Sequence, residues 1–207
     1  MDPDDRPSSP SKTRSSTGDL PSGDYEYLTE GYYACQDAEL NASRTLPSTA
    51  DTLDAYVVPI ALERVRLAGL PVPEWYLTNR DFETPAVLYG VNPFARNHVV
   101  VRPDDDAAAA ARMVSRRGKF AICCQRLPPG AVLIEFDQVY DRASDERFAH
   151  WAEALHRLFH LPLARVRLIA TAGREYFSAV ERLPRERLSE PAARLLQAIQ
   201  QPDHHRE

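Results

Sequence analysis

The sequence predicts a protein of the α/β or α+β class, in which strands and helices alternate along one chain. Apolar runs of strand length alternate with segments whose apolar residues recur at helical spacing. Gly and Pro clusters separate these segments, as expected for the turns between them. With 207 residues, 43% of them hydrophobic, the chain can form one substantial core or one domain of two lobes.

The charge of the chain limits its partners. A net charge of -5 argues against a general nucleic-acid-binding or anionic-membrane-binding surface. The lysines are Lys12 and Lys119, and Lys12 lies in a segment predicted to be unfolded, so a mechanism that needs two lysines in the folded part is excluded. The sequence shows no charged-then-apolar leader and no apolar run of about 18 residues, which predicts a cytoplasmic protein without a membrane anchor.

The two ends of the chain are predicted to lie outside the core. Residues 1–24 are dense in Pro, Ser, Asp and Gly, so they predict a disordered tail, and residues 201–207 predict a frayed end. Residues 25–50 form a tyrosine-rich lead-in with one helix-compatible run. Acidic residues surround its tyrosines, which favours packing against the body over stacking on a nucleic-acid base.

The first half of the folded part predicts one helix followed by short strands. Apolar residues at helical spacing over 52–68 follow the N-cap candidates Ser48 and Thr49, and Pro59 is expected to kink or divide this helix. Strands are predicted over 74–78, 86–91, 98–102 and 119–127. A helix is predicted between the last two, where an alanine run follows Asp104, Asp105 and Asp106. These acids could bind a metal, but consecutive helical residues point in different directions, which favours capping.

The second half predicts a strand over 131–140, a helix over 146–159 capped by Asp145, a hairpin and a final helix. The hairpin strands are 163–171 and 175–180, and the helix is 191–200.

Two groups of potentially reactive side chains, two histidines and two cysteines, are better explained without a reactive site. His156 and His160 are spaced i, i+4, as metal ligands on one helix face would be, but no third ligand is evident and the glutamate of the HExxH hydrolases is absent. We therefore expect exposed histidines and no metal site. Cys123 and Cys124 could act as nucleophiles, but their apolar strand favours burial.

Together, residues 52–200 resemble the ATP-grasp superfamily, and within it the RimK-like proteins. The matching segments are ALERVRLAGLPVP, PAVLYGVN, HVVV, FAICCQRLP, AVLIEFDQV, LARVRLIA and EYFSAVERLP, preceded by the RimK-like EGYYACQDAELNASRTLPS. The resemblance implies a two-lobed fold, with a first lobe over 51–128, a second lobe over 129–200 and a cleft between them. It also places Gln125, Arg126 and Leu127 at a hinge that holds adenine, with Asn92 and His98 near the phosphates.

The groups that the resemblance leads us to expect for phosphoryl transfer are missing. Tyr89 stands at the position of the first-lobe lysine, and the loop VNPFARNH has no glycine. Ala179 and Glu181 stand where the family has glutamate and asparagine, and Arg167 replaces an aspartate. We therefore predict a degenerate member, catalytically impaired, that binds an unknown small molecule or protein partner through the retained fold.

An active ATP-dependent carboxylate–amine ligase is the alternative. In that case ATP and Mg²⁺ would be the cofactors, and Arg96, Arg126 or Arg167 would replace the lysine charge. Glu135, Asp137 or Glu181 would ligate the metal, and Glu135 and Asp137 share one strand face. A third possibility is an unrelated α/β domain whose elements merely follow the same order.

Overall fold

The structure is a computed structural model that describes residues 23–92 and 98–200. Residues 1–22 of the predicted tail lie outside these ranges. The predicted frayed end over 201–207 and the candidate residue Arg96 lie outside them as well. Within the described residues the chain forms six α-helices and two antiparallel four-stranded sheets. The predicted α+β class is therefore confirmed.

Three helices precede the first strand: α1 (Glu30–Leu40), α2 (Thr49–Tyr56) and α3 (Val58–Leu67). The helical run predicted over 52–68 is divided at Val57, because Pro59 in the first turn of α3 has no N–H to continue the hydrogen bonding of α2. Ser48 caps α2: its hydroxyl accepts a hydrogen bond from the backbone N–H of Asp51, and the Asp51 carboxylate accepts one from the N–H of Ser48.

The first sheet consists of β1 (Trp75–Thr78), β2 (Ala86–Gly90), β3 (His98–Val101) and β4 (Ile122–Arg126), in the order β1-β4-β2-β3. Helix α4 (Ala107–Val114) lies between β3 and β4 and covers the face of the sheet that carries Ala86, Leu88, Ile122 and Cys124. Asp106 caps α4 by accepting a hydrogen bond from Ala109 N at 2.8 Å, as the sequence predicts.

The second sheet consists of β5 (Val132–Val139), β6 (Arg142–Ala143), β7 (Leu163–Ala170) and β8 (Glu175–Glu181), in the order β6-β5-β7-β8. Helix α5 (Ala149–Phe159) follows a short 3₁₀ turn, and α6 (Glu190–Gln200) ends the described chain. The two-residue strand β6 is too short to produce a sequence pattern. Across the described ranges, every helix falls short of the length and apolar content required to span a bilayer.

Helices α2 and α3 pack on the second sheet. They contact β8 and α5, and Leu62 of α3 shares one buried cluster with Phe136, Trp151 and Phe177. The sequence-based boundaries placed both helices in the first lobe, over 51–128. Their buried side contacts β8 of the second sheet, and the cluster around Leu62 also includes Val87, Tyr89 and Cys123 from the inner face of the first sheet.

The described chain begins with two residues packed on the end of β8. Gly23 is buried with φ +70°, and a Cβ on it would lie 2.0 Å from the carbonyl oxygen of Leu183. The carboxylate of Asp24 accepts a hydrogen bond from Arg182 Nη1 at 2.8 Å. The packed part of the chain therefore includes the last two residues that the sequence assigns to the tail.

We expect Gly23→Ala to lower the free energy of unfolding by about 2 kcal/mol, because alanine meets both an unfavourable backbone conformation and the Leu183 carbonyl. Gly69→Ala is the matched control, since Gly69 also has a positive φ (+80°) but has open space around it. That control should lose only about 1 kcal/mol. Urea unfolding measures both, and equal losses would show that the contact with Leu183 contributes nothing.

The tyrosine-rich lead-in is partly packed. Tyr32 is buried, and its ring lies edge-on to Tyr27 at 5.2 Å and to Tyr33 at 5.9 Å between centroids. Tyr27 and Tyr33 remain 43% and 51% exposed. The predicted packing role therefore holds for Tyr32, while its two neighbours cover it from the solvent side.

Candidate functional site

A cavity of about 770 Å³ opens where the two sheets meet α2 and the lead-in segment. The first sheet contributes the end of β2 and His98, and the second sheet contributes Arg167 and the end of β8. Helix α2 and the lead-in supply a mostly aromatic and aliphatic wall, which contains Tyr27, Leu53, Tyr56, Val57 and Val58. We call this cavity the cleft.

Arg167 lies in the cleft between two glutamates. Its Nη2 is 2.5 Å and its Nε 2.9 Å from Glu135 Oε1, and its Nη1 is 2.6 Å from Glu181 Oε1. The register explains the first contact, because Glu135 on β5 lies directly opposite Arg167 on β7. Burial alone would lower the pKa of Arg167, whose side chain is 3% exposed, but Tyr89 and Glu181 raise it overall, so the guanidinium stays charged.

A chain of hydrogen bonds runs from Arg167 into the first sheet. Arg167 Nη1 donates to the Tyr89 hydroxyl at 3.4 Å, and that hydroxyl lies 2.8 Å from Ser178 Oγ. The hydroxyl proton of Ser178 is donated to Gln125 Oε1 at 2.7 Å, so Tyr89 is the donor to Ser178. Gln125 Nε2 donates in turn to the Ser178 carbonyl at 2.8 Å. We call this series of contacts the cross-sheet chain.

His98 stacks on Tyr89 at 5.9 Å between ring centroids, and its Nδ1 lies 3.8 Å from Glu181 Oε1. Burial lowers the pKa of His98, and the charge of Arg167 lowers it further. Burial also raises the pKa of the Tyr89 phenol. At neutral pH both rings are therefore uncharged.

The predicted hinge residues do not line the cleft. Gln125 is fully buried and its amide is occupied by Ser178. Arg126 points to solvent and pairs with Glu74 at 3.2 Å and Glu83 at 3.0 Å. Leu127 packs at the edge of the main core. Contact between these three residues and a nucleotide remains a prediction from the resemblance.

Asp137 lies on the same strand face as Glu135 but outside the cleft. Its side chain is 3% exposed and accepts hydrogen bonds from Arg165 Nε and from the backbone N–H of Ser189, both at 2.8 Å. Burial alone would raise its pKa, but these hydrogen bonds lower it overall. Asp137 therefore joins β7 to the segment that leads into α6.

We expect Asp137→Asn to destabilise the protein by about 2 kcal/mol at pH 7, because the amide replaces a charged acceptor of two buried hydrogen bonds. The folded-state pKa of Asp137 is lowered, so its contribution is present above the unfolded pKa and is lost as the pH falls below about 4. Urea unfolding from pH 7 to pH 2.5 should show the wild-type and variant values converging in acid. A constant difference would rule out the charge as the cause. Asp54→Asn, at the more exposed pair with Arg64, should lose less.

The structure thus brings Glu135, Arg167, Glu181 and His98 together, with Asn92 on the cleft wall. Sequence analysis missed Ser178 and Tyr56. The serine within the apolar run YFSAV could have been used to predict a buried polar contact. The Tyr56 hydroxyl is buried, meets no hydrogen-bond partner among the described residues, and has its pKa raised by burial.

The histidines and cysteines form no reactive site in the described chain. His156 Nδ1 lies 3.1 Å from the Leu161 carbonyl, whereas His160 Nδ1 lies 3.2 Å from Asp51 Oδ1. Across residues 23–92 and 98–200, no three His, Cys, Asp or Glu side chains are grouped as a metal site would require. The cysteines there are free and buried, and burial raises the pKa of Cys123 to about 12.

Comparisons with known proteins rest on structure alone, because no family model and no curated protein sequence matches this chain. The ADP complex of N5-carboxyaminoimidazole ribonucleotide synthetase aligns with a TM-score of 0.57 and 14% identity over 75% of this chain and 52% of that one. D-alanine–D-alanine ligase from Bacillus anthracis aligns with a TM-score of 0.55 and 13% identity, over 72% and 64% of the two chains.

A third similar structure is the ATP-grasp ligase PsnB with a minimal precursor, Mg and ADP. It aligns with a TM-score of 0.53 and 16% identity, over 78% of this chain and 63% of that one. The present chain therefore spans from about half to just under two thirds of the length of these solved proteins.

Proposed function

We propose that this chain, which has the ATP-grasp fold, is a degenerate ATP-grasp-like protein that binds a ligand or protein partner in its cleft and transfers no phosphoryl group. The observation that carries the proposal is the position of Arg167, whose guanidinium contacts Glu135 and Glu181 together. Glu135 and Glu181 already have a cation supplied by the chain itself.

The described residues do not fit Mg²⁺ and ATP. Mg²⁺ is held by carboxylate oxygens, yet Glu135 and Glu181 both contact the Arg167 guanidinium, which would repel the metal. The described chain has one lysine, Lys119, which lies in the turn after α4 and does not line the cleft. Among the described residues, Tyr89 therefore occupies the position expected for the family's phosphate-binding lysine as an uncharged phenol, and the cationic side chains of the cleft are arginines.

The cleft suits a small ligand with little charge. Arg167 is paired with two glutamates and Arg182 with Asp24, and His98 is uncharged at neutral pH. Arg187 and Glu26 add one charge of each sign to the lining. The wall from α2 is aromatic and aliphatic, and about 770 Å³ is within the range of small-molecule sites. The buried Tyr56 hydroxyl can donate a hydrogen bond to a ligand oxygen or nitrogen.

Isothermal titration of the full chain with adenosine and with ATP, each with Mg²⁺ and with EDTA, tests the proposal. We expect adenosine to bind in the cleft, EDTA to change neither affinity, and no ADP to form. Leu53→Trp should abolish adenosine binding, because the indole would fill the cleft beside the aromatic wall. Tighter ATP binding with Mg²⁺, followed by ADP release, would overturn the proposal.

The active carboxylate–amine ligase is the second candidate, favoured by the shared strand face of Glu135 and Asp137. In the structure each of these carboxylates forms an ion pair with an arginine, Glu135 with Arg167 and Asp137 with Arg165. This candidate requires ADP release that depends on a carboxylate substrate and is abolished by Glu135→Gln.

A further inference from the structure

A second cavity, of about 580 Å³, lies on the α4 side of the first sheet, opposite the face that carries Tyr89. One wall is α4 with the turn that follows it, and the other is the loop over 79–82 between β1 and β2. Three arginines line it: Arg80 from the loop, Arg112 from the last turn of α4, and Arg117 from the turn. We call it the arginine cavity.

These three arginines have no carboxylate within ion-pair distance among the described residues. Elsewhere in the described chain, Arg126 and Arg147 pair with acids, whereas Arg142 and Arg185 resemble these three in having no such partner; the arginine cavity differs because three such arginines line it together. Asp81 is the acidic residue of the arginine cavity lining, so the lining carries an excess of positive charge. In a chain of net charge -5, this is a local concentration of unpaired cations.

The turn after α4 brings the backbone of Arg117 back against that of Arg112. The backbone N–H of Arg117 donates to the Arg112 carbonyl at 2.7 Å, and Arg116 and Arg117 have φ values of 51° and 62°. Left-handed residues other than glycine are unfavourable by about 1 kcal/mol each, and such conformations concentrate at functional sites. The N–H groups of Arg116, Arg117 and Gly118 are bonded within the turn. An anion would therefore contact side chains and not the backbone.

The rest of the lining is small or apolar, with Ala108, Ala111 and Phe82 between the arginines. Guanidinium groups bind phosphate through paired N–H donors, and Phe82 offers an apolar surface to a ring. We propose that the arginine cavity binds a small organic phosphate, with its phosphates on Arg112 and Arg117 and its apolar part toward Phe82 and the alanines. A volume of about 580 Å³ fits a small molecule better than an extended nucleic acid.

Isothermal titration of the full chain with ADP and with inorganic pyrophosphate tests this second site. Arg112→Gln/Arg117→Gln should weaken binding of both probes by about tenfold or more. The matched control is Arg142→Gln/Arg185→Gln, which removes the same charge from two exposed arginines of the second lobe and should change the affinity less than twofold. Equal weakening by both pairs, or no binding of either probe at millimolar concentration, would overturn the proposal.

Two further experiments identify the site at which the probes bind and the class of ligand that the site prefers. Leu53→Trp fills the cleft, so ADP and pyrophosphate binding should survive it; loss of binding in this variant would place the anion in the cleft and refute the arginine cavity. A single-stranded oligonucleotide that binds more tightly than ADP, and loses its affinity in Arg112→Gln/Arg117→Gln, would overturn the small-molecule assignment. The failure of either site leaves the other proposal standing.

Discussion

Replacement of Arg167 by methionine is expected to lower the free energy of unfolding by about 3 kcal/mol, among the larger effects of a single substitution. Methionine keeps much of the buried volume but leaves Glu135 and Glu181 facing each other without the cation between them. The two glutamate side chains are 39% and 30% exposed, so water relieves part of this repulsion, and we expect the lower end of the range for broken buried pairs. Urea unfolding at pH 7 measures the loss.

Two comparisons separate charge from packing at this position. Arg64→Met breaks an exposed pair with Asp54 and should lose less than about 1 kcal/mol. The triple variant Arg167→Met/Glu135→Gln/Glu181→Gln removes the unpaired charges and should recover part of the loss. If the triple variant is no more stable than Arg167→Met, packing and not charge accounts for the effect.

Gln125→Ala is expected to destabilise the protein by a similar amount, about 3 kcal/mol, because it combines two losses. The side chain is fully buried, so its removal leaves a cavity between the sheets. The Ser178 carbonyl and hydroxyl both lose their partner on Gln125. Thermal or urea unfolding measures the effect.

The neighbouring residue provides the control for this substitution. Arg126→Ala removes an exposed side chain from the same strand and should lose less than about 1 kcal/mol. Combining Gln125→Ala with Ser178→Ala should cost less than the sum of the two single losses, because both remove the hydrogen bond between the Ser178 hydroxyl and Gln125 Oε1. Strict additivity would mean that the two side chains do not support each other.

The order of strands and helices could be predicted because it depends on local patterns, and Pro59 correctly marked the division between α2 and α3. The surface on which those helices pack could not be predicted, since the cluster around Leu62 combines apolar residues of both sheets that only the folded chain brings together. Glu135, Arg167 and Glu181 were each singled out, yet their meeting at one guanidinium depends on the register of β5, β7 and β8. The resemblance places Gln125 at a nucleotide-binding hinge. Sequence alone does not show which polar side chains form hydrogen bonds with each other in the interior.

The cross-sheet chain has a consequence for motion. Four hydrogen bonds join Tyr89 and Gln125 of the first sheet to Arg167 and Ser178 of the second. Separating the sheets would break all four hydrogen bonds at once and leave buried polar groups without partners. The sheets are therefore expected to move as one body on the microsecond-to-millisecond timescale of hinge closure. Access to the cleft then depends on local opening of α2 and the lead-in, whose hydrogen exchange should be faster than that of β4 and β8.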